Sequence, residues 1–531
     1  MPRTPLAKSF YMHEIILVIL VSGLALGGCT DDVHQSSVKH GEPGVRPFWN
    51  VHSGRYIYAP TIAWEDPPGT SSEYLIQVND LSLETDEPWV NLTEIWDDLA
   101  EGNVTIYIRG LSDSGETSFA DTISTIKSPG FDEAMVESYE NPADDGMLGL
   151  ESVLVLDKVQ HWIDPGGPFP DYPLWVHPSK LMGVLSQGML FLSQNSEDPD
   201  VQSQAKDIAV RSAQFLLALR EPEGAPLAGW THSYWDGVDR GDHPIYMDQI
   251  MTLYPSEAAL AFLDLFDATA DSIWFDSAVD IARTYAATHR ADGTWYLLLK
   301  REDGSPHRDK LLVPVSVISF LDRLKTQYGI DAFVDVRERA FDWIMENPVN
   351  TYAWEAQFED TRPKRRYRNL SHREAANFAR LLFETSDDPA DMRLAGELLL
   401  FVEDQFVIWD HSDAVTQKNW FREGMKWNGN RTDGTPGKDW FLPAALEQYA
   451  FYTPIAGTTS NVIHAYCAGF EATGETVYRD KARALTLSLV EAREYHSSGE
   501  IPTHLRKDLP EENWLNNSVY SARTLVDASC L

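Results

Sequence analysis

A pair of helix-forming segments joined by a short link recurs five times in this chain, and long links join one pair to the next. Four of the short links lie at residues 266–274, 325–332, 384–392 and 471–478. The long links carry aromatic and acidic segments, namely HSYWD, ADGTW, TYAWEAQFED, FVIWDHSD and GEIPTHL. A repeated unit of this kind predicts stacked helical hairpins, with any chemistry where the long links gather.

Apolar residues recur at three- and four-residue spacing from about residue 146 onwards, as in SEAALAFLDLF and REAANFARLLFE. This spacing places them on one face of each helix. Hairpins are expected to begin near five residues: Pro178, Pro255, Pro314, Ser371 and Thr458. One unpaired helix is expected at 149–163 and another in the C-terminal segment NSVYSARTLVDASCL. Five pairs and two matching halves make six hairpins, which favours a closed ring over an open solenoid.

Residues 46–130 differ from the rest, because their apolar residues alternate in runs such as EYLIQVNDL and NVTIYIRGL. Turn-forming segments such as EDPPGTSS separate these runs, which predicts a small antiparallel β-sandwich. The predicted fold class is therefore multidomain: an N-terminal all-β sandwich at 46–130, followed by an all-α toroid of helical hairpins at 146–531.

Six helical hairpins in a ring resemble the (α/α)6 toroid of six-hairpin glycosidases and of several polysaccharide lyases. The resemblance covers residues 146–531 and rests on architecture rather than on a short diagnostic motif. The segment 46–130 resembles the fibronectin type III-like modules that precede extracellular polysaccharide-degrading domains, where it is either a glycan-binding module or a spacer. The two resemblances together imply a carbohydrate-active enzyme.

The charge balance excludes one large class of partner. The chain has 43 basic and 81 acidic residues, which gives a net charge of −38. Nucleic acid is excluded as a partner, because its phosphates require a cationic surface. An acid-rich surface is typical of a protein that stays soluble outside the cell.

The N-terminus has the features of a targeting segment. The apolar run IILVILVSGLALGG follows two basic residues and ends at Cys29. The sequence around Cys29 resembles a bacterial lipobox, which implies a signal peptide at 1–29, lipidation of Cys29 and a tether at 30–45. We therefore expect a lipid-anchored, extracytoplasmic protein, periplasmic or surface-facing. Thr30, rather than an aspartate, follows the cysteine, which resembles sorting to the outer membrane.

Neither a metal nor a cofactor is predicted. The sequence has no HExxH motif, no GxSxG elbow and no glycine-rich phosphate cradle after a strand. The three cysteines also lack metal-ligand spacing. Cys467 and Cys530 either pair with each other or remain as two buried thiols.

The candidate catalytic site is expected at the face that gathers the long links and the N-termini of the inner helices. These N-termini offer unpaired N–H groups and partial positive charge, which suits a sugar carboxylate. Glycoside hydrolysis needs one carboxylic acid and one carboxylate. Asp248 stands beside an apolar stretch, which suits a general acid, and its expected partner is Glu355 or Glu359. The first hypothesis is a hydrolase of a poly- or oligosaccharide that contains uronic acid.

Two other functions remain open. The second hypothesis is a polysaccharide lyase or a uronyl C5-epimerase, in which Tyr367 or His372 is the base and arginine or asparagine stabilises the enolate. The third is a non-catalytic glycan-binding lipoprotein. The residues expected to bind substrate are His232, Tyr234, Trp235, Tyr254, Trp295, Trp354, Arg365, Arg366, Arg368, Trp440, Asn461 and His464.

Overall fold

A computed structural model describes residues 55–64, 71–237, 247–358, 369–410, 439–449, 451–496, 498–507 and 513–531. Within these residues the chain forms an N-terminal β unit followed by a ring of helices. No helix in the part of the chain that the structure describes is long and apolar enough to span a bilayer.

The β unit has one large and one small sheet. Its strands are β1 (Arg55–Tyr56), β2 (Thr61–Ala63), β3 (Glu73–Val78), β4 (Leu81–Thr85), β5 (Trp89–Asn91), β6 (Gly102–Leu111) and β7 (Thr117–Lys127). The large sheet has the order β1-β7-β6-β3-β4, and β2 pairs with β5. Alternate residues such as Ile76, Val78 and Ile106 are fully buried in a core that both sheets share. The β1–β7 pair is parallel, so the prediction of a wholly antiparallel unit is wrong at that edge.

Twelve helices in the described residues build the ring. They are α1 (Ala143–Leu154), α2 (Pro178–Asn195), α3 (Pro199–Ala218), α4 (Tyr254–Thr269), α5 (Ser272–Thr288), α6 (Val315–Tyr328), α7 (Val334–Ile344), α8 (Arg373–Thr385), α9 (Pro389–Phe406), α10 (Ala456–Thr473), α11 (Thr476–Tyr495) and α12 (Leu515–Asp527). The five predicted hairpin starts therefore lie within two residues of helix N-termini.

The ring closes on itself. The even-numbered helices form an inner circle, in which α2 contacts α4, then α6, α8, α10 and α12 follow, and α12 contacts α2. Each inner helix packs against one outer helix, and the outer partner of the last helix, α12, is the first, α1. The predicted closure by two spare helices is confirmed. The first helix begins earlier than the predicted 149, because Asn141 Oδ1 accepts a hydrogen bond from the Ala143 N–H and starts it there.

Small residues allow the ring to close tightly. A Cβ on Gly188 of α2 would overlap Val519 of α12, and one on Gly146 of α1 would press on Ala522. Cys467 of α10 and Cys530 form a disulfide, which settles the two alternatives that the sequence left open. The bond ties the chain after α12 to the neighbouring inner helix.

Short strands interrupt the helical part, which is therefore not purely helical. Strands β8 (Gln249–Met251) and β9 (Leu298–Lys300) pair with each other. Strands β10 (Val407–Ile408), β11 (Ala444–Gln448) and β12 (Phe451–Pro454) form a second small sheet. All five lie in long links: the β8–β9 pair joins two links, whereas β10, β11 and β12 belong to the one link between α9 and α10.

A buried arginine joins the β unit to the ring. Arg55 donates hydrogen bonds of 3.0 Å to the backbone carbonyls of Asp404 and Val407. In return the Asp404 carboxylate accepts hydrogen bonds of 2.8 Å from the backbone of Ile57 and Tyr58. Because these groups are buried and mutually satisfied, the two units dock as a fixed pair.

Candidate active site

The described parts of the six long links gather at one end of the ring, which we call the mouth. Backbone and side-chain hydrogen bonds connect each link to the next in a complete circle. The connections are Trp235 N to Val176 O, the β8–β9 pair, Val313 N to Gln357 Oε1, Tyr449 N to Leu370 O, Leu505 N to Pro454 O, and Tyr172 Oη to Asn513 O. The prediction that all long links share one face is confirmed. The N-termini of the inner helices open at this mouth.

The inner helices enclose a polar bore. On each of them the half-buried positions recur at spacings of three and four residues, so they share the face that looks inward. Ion pairs between inner helices show that these side chains meet: Arg323 of α6 lies 2.6 Å from Asp264 of α4, which also accepts a hydrogen bond from Gln187 of α2. The bore therefore holds charged and amide groups, whereas the apolar residues of the helices pack between them.

Two carboxyl groups flank one guanidinium at the mouth end of the bore. Arg373, the first residue of α8, is ion-paired with Glu257 of α4, which reaches it past the intervening helix α6. On the other side the Arg373 Nε lies 3.7 Å from Glu374 Oε1. The Glu257 side chain is 24% exposed and that of Arg373 is 29% exposed. Glu374 is only 3% exposed, so the two acids occupy different environments.

Glu374 is an unusual buried acid. Neither of its carboxyl oxygens has a hydrogen-bond partner among the described residues. Burial raises the pKa of Glu374 to about 7, Arg373 pulls it down, and Glu257 adds to the rise. Burial alone would lower the pKa of Arg373, but the two carboxylates beside it outweigh that effect and raise it. Near neutral pH, Glu374 is therefore a proton donor next to a permanent cation.

His372 directly precedes Arg373 and Glu374, and its surroundings keep its imidazole neutral. Its Nδ1 lies 3.2 Å from the Glu447 carbonyl, and its Nε2 has no hydrogen-bond partner in the described residues. Burial lowers the pKa of His372 to about 3, the Glu447 carbonyl opposes this, and Arg373 adds to the fall. The ring is consequently neutral, and its basicity is weak.

The carboxylates predicted from the sequence lie elsewhere. Asp248 is exposed in the turn before β8, so its side chain lacks the apolar surroundings that its sequence neighbours suggested. Glu355 is half-buried in a bridge that pairs it with Leu370, so this residue is extended rather than helical. Five predicted residues lie outside the described residues: Glu359, Arg365, Arg366, Tyr367 and Arg368.

Most predicted aromatic residues belong to the core of the ring. Trp295 is fully buried and donates its indole N–H to the Tyr285 carbonyl at 3.2 Å. Trp354 is fully buried against Phe378, and Trp440 is 5% exposed. Tyr234 is buried beside His177, Trp235 packs edge-on against Phe215, and Tyr254 is buried at the start of α4. These side chains pack in the core beneath the mouth and stabilise the links that form it.

Three predicted polar residues line the mouth or the bore. His232 pairs with the Glu221 carboxylate at 2.8 Å, and Arg301 binds the same carboxylate. Although burial would raise the pKa of Glu221, the hydrogen bonds from His232 and Arg301 lower it. Asn461 and His464 lie on the inward face of α10, and His464 Nε2 is 3.1 Å from Thr524 Oγ1 of α12. Burial lowers the pKa of His464, and the nearby arginines Arg380 and Arg523 lower it further.

Glu257, Arg373 and Glu374 are candidate functional residues that the sequence prediction did not include. Each lies in the first turn of an inner helix, whereas most of the predicted site residues lie in the links. One signal was present: Glu374 is followed at once by Ala375 and Ala376, on the apolar side of a strongly amphipathic helix. A charged residue at that position has to face either the bore or a helix contact.

No family model matches the sequence, and no curated protein matches it. Among solved structures, the chain is similar to a family 76 glycoside hydrolase from a bovine Bacteroides thetaiotaomicron strain, with 13% identity, 86% of this chain and 92% of that chain covered, and a TM-score of 0.48. A GH76 alpha-mannanase of Bacteroides thetaiotaomicron has 11% identity, coverage of 75% and 98%, and a TM-score of 0.48. A D-mannose isomerase has 12% identity, coverage of 74% and 99%, and a TM-score of 0.47. The activity is therefore inferred from the site residues.

Proposed function

We propose that the chain is a carbohydrate-active enzyme that hydrolyses glycosidic bonds at the mouth of its bore. The observation that carries this proposal is the pair Glu374 and Glu257 on either side of Arg373. One acid is buried, lacks a hydrogen-bond partner among the described residues and has its pKa raised to about 7, and the other is ion-paired and partly exposed. Glycoside hydrolysis requires two carboxyl groups, and here one is buried and the other is ion-paired.

In the proposed mechanism Glu374 is the general acid. It donates its proton to the glycosidic oxygen as the bond to the anomeric carbon breaks, which avoids expelling an alkoxide. Arg373 then stabilises the carboxylate that remains, since its guanidinium is already within 3.7 Å. Glu257 acts on the anomeric carbon, either directly or by activating water. Arg373 thus pairs with Glu257 before the reaction and compensates the charge of Glu374 after it.

The assignment of Asp248 with Glu355 or Glu359 as the catalytic pair stays a sequence prediction. Substitutions at these positions would test it. The same holds for a uronic acid in the substrate. Its expected anchors, Arg365, Arg366 and Arg368, lie outside the described residues. Within the described mouth, Lys180 lies 5.3 Å over the Trp514 ring and is a cation of the kind such a sugar would need.

Lyase or epimerase chemistry is the second candidate. It is favoured by the neutral imidazole of His372, whose Nε2 is unpaired among the described residues next to Arg373. A pKa of about 3 makes this imidazole a weak base for taking a proton from carbon. The Glu374 and Glu257 pair therefore supports hydrolysis better than proton abstraction.

The activity test is a screen of the purified chain against neutral and acidic glycans. Reducing ends report hydrolysis, and ultraviolet absorbance of a new C=C bond reports lyase action. For a hydrolysed glycan, Glu374→Gln is expected to lower kcat by about 10²- to 10⁴-fold. An aryl glycoside with a good leaving group needs no protonation, so it should restore much of the rate to Glu374→Gln but not to Glu257→Gln. Unchanged turnover of the natural glycan by Glu374→Gln would remove the assignment.

The matched control is Glu338→Gln. Glu338 is an exposed acid on the outer helix α7, remote from the mouth. Its substitution makes the same change of a carboxyl to an amide, away from the proposed site. Any loss of rate that both variants share is therefore not caused by the loss of the catalytic proton.

We also propose that the protein works outside the cytoplasm, held by a lipid on Cys29. The Cys467–Cys530 disulfide supports an oxidising compartment, since such bonds persist mainly there. Metabolic labelling of cells with a clickable fatty acid should mark the intact chain but not Cys29→Ser. Equal labelling of both proteins would exclude this anchor. The likeness of the β unit to fibronectin type III modules stays a prediction.

A further inference from the structure

Two unpartnered amide groups line the wall of the bore beside the proposed acids. Asn461 Nδ2 on α10 and Asn516 Oδ1 on α12 are buried, and neither has a hydrogen-bond partner among the described residues. Leaving a buried amide group unpaired costs folding free energy, so a partner that binds it is expected. We propose that Asn461 and Asn516 form a subsite for a neutral sugar ring, which they hold through its hydroxyl groups. This inference rests on the proposed function and names the substrate class for the same bore.

Two contacts fix the heights of these side chains on the wall. The Gly457 N–H donates to Asn517 Oδ1 at 3.0 Å, and His464 Nε2 lies 3.1 Å from Thr524 Oγ1. Both pairs have a sequence separation of 60, so α10 and α12 run side by side in constant register. Asn461 lies four residues below Gly457, whereas Asn516 lies one residue above Asn517. The two amides are therefore offset by five residues, or about 7.5 Å along the bore, which a pyranose ring with its hydroxyl groups can span.

The inward face of α12 is identified by its other members. Tyr520 and Arg523 follow Asn516 at spacings of four and three residues, so the three share one face. The Tyr520 ring lies 5.7 Å from the His464 ring of α10, and Arg523 lies over the Phe191 ring of α2. A face that meets both neighbouring inner helices looks into the bore. Asn516 is the member of this face at the mouth.

The chemistry of the two atoms selects a neutral partner. Asn461 Nδ2 donates hydrogen bonds and Asn516 Oδ1 accepts them. A pair of sugar hydroxyl groups satisfies both, because each hydroxyl can donate and accept. A carboxylate only accepts, so it would leave the Asn516 oxygen unpaired and would add charge beside it.

The test separates binding from turnover by using the full chain with Glu374→Gln. Saturation-transfer NMR with methyl glycosides of mannose, glucose and galactose, and with glucuronic acid, reports which ring binds. At least one neutral glycoside is expected to bind. Asn461→Leu and Asn516→Leu should each weaken its binding by roughly tenfold or more. Asn195→Leu, at the exposed far end of α2, is the matched control and should bind normally.

A thermal melt shows whether the asparagines act on the ligand or on the fold. Because each Leu variant replaces an unpaired buried amide by an apolar group, its melting temperature should stay level or rise. The subsite is overturned if no neutral glycoside binds, if only glucuronic acid binds, if both Leu variants bind like their parent, or if their loss of binding accompanies a lower melting temperature. Neutral binding that depends on these asparagines, in a protein that hydrolyses no glycan, keeps the subsite and overturns the proposed catalysis.

Discussion

Replacing Glu374 by glutamine should change the free energy of unfolding relative to the wild type, by an amount that depends on pH. The carboxyl has an ordinary pKa of 4.5, and burial raises it to about 7 in the folded protein. The folded state therefore holds this proton more tightly than the unfolded state does. The stabilising contribution of the proton is fully present below pH 4.5 and is lost as the pH rises towards 7. Glutamine has nearly the same shape and carries no titrating proton.

The magnitude follows from the size of the pKa rise. One pKa unit corresponds to about 1.4 kcal/mol, so the rise from 4.5 to about 7 corresponds to about 3 kcal/mol. The free energy of unfolding of Glu374→Gln, minus that of the wild type, should increase by about this amount between pH 4.5 and 7 and then stay level. The reason is that the wild type has to bury, above pH 7, an ionised carboxylate that has no hydrogen-bond donor among the described residues, and the variant does not.

The measurement is urea unfolding followed by tryptophan fluorescence at a series of pH values from 4 to 9. Fluorescence reports the ring, because Trp295 and Trp354 are fully buried within it. Glu338→Gln serves as the control and should differ from the wild type by an amount that does not change with pH. A Glu374→Gln difference that is equal at pH 5 and pH 9, or a variant that is less stable at pH 9, would refute the assignment of a raised pKa.

The remaining predictions concern activity, the ring seam and a buried ion pair. Activity on a hydrolysed glycan should fall as the pH rises through about 7, because Glu374 loses the proton it donates, and a pH–rate profile that stays flat to pH 9 would contradict this. Gly188→Ala should destabilise the protein by about 1–3 kcal/mol, since its Cβ overlaps Val519, and the added Val519→Ala should recover most of the loss in urea unfolding. Lys481→Met should cost about 3–5 kcal/mol in the same assay, because it leaves Glu403 charged and buried without its 2.6 Å partner; a loss below 1 kcal/mol would show that the carboxylate finds compensation.

The ring could be predicted from the sequence because the same helix-start, turn and spacing signals recur along the chain. Prolines at 178 and 255 and the short polar links mark where helices begin and turn, and each helix shows its buried face through spacing alone. Closure was predicted because the spare helices at the two ends of the repeat match as one pair. By contrast, the parallel pairing of β1 with β7 was not predicted, since it joins segments about seventy residues apart and no local signal encodes the partner.

The site illustrates the same division. Asp248 had the right sequence neighbours but lies exposed, whereas Glu374 sits in an ordinary helical segment and is buried. Arg373 and Glu257 are separated by 116 residues and meet only because the ring brings α8 and α4 to the same bore. Sequence spacing describes neighbours along one helix, and the site is made of neighbours across a ring.

The sequence by itself determined the helical repeat, the closure of the ring and the gathering of the long links at one end, because each follows from periodicity and turn chemistry within a few dozen residues. Tertiary structure alone decided which acids meet, which tryptophans are core and which amides are left unpaired in the bore. The physical reason is that burial and ionisation depend on groups packed from distant segments, so the pKa of Glu374 is a property of the closed ring and not of its own helix.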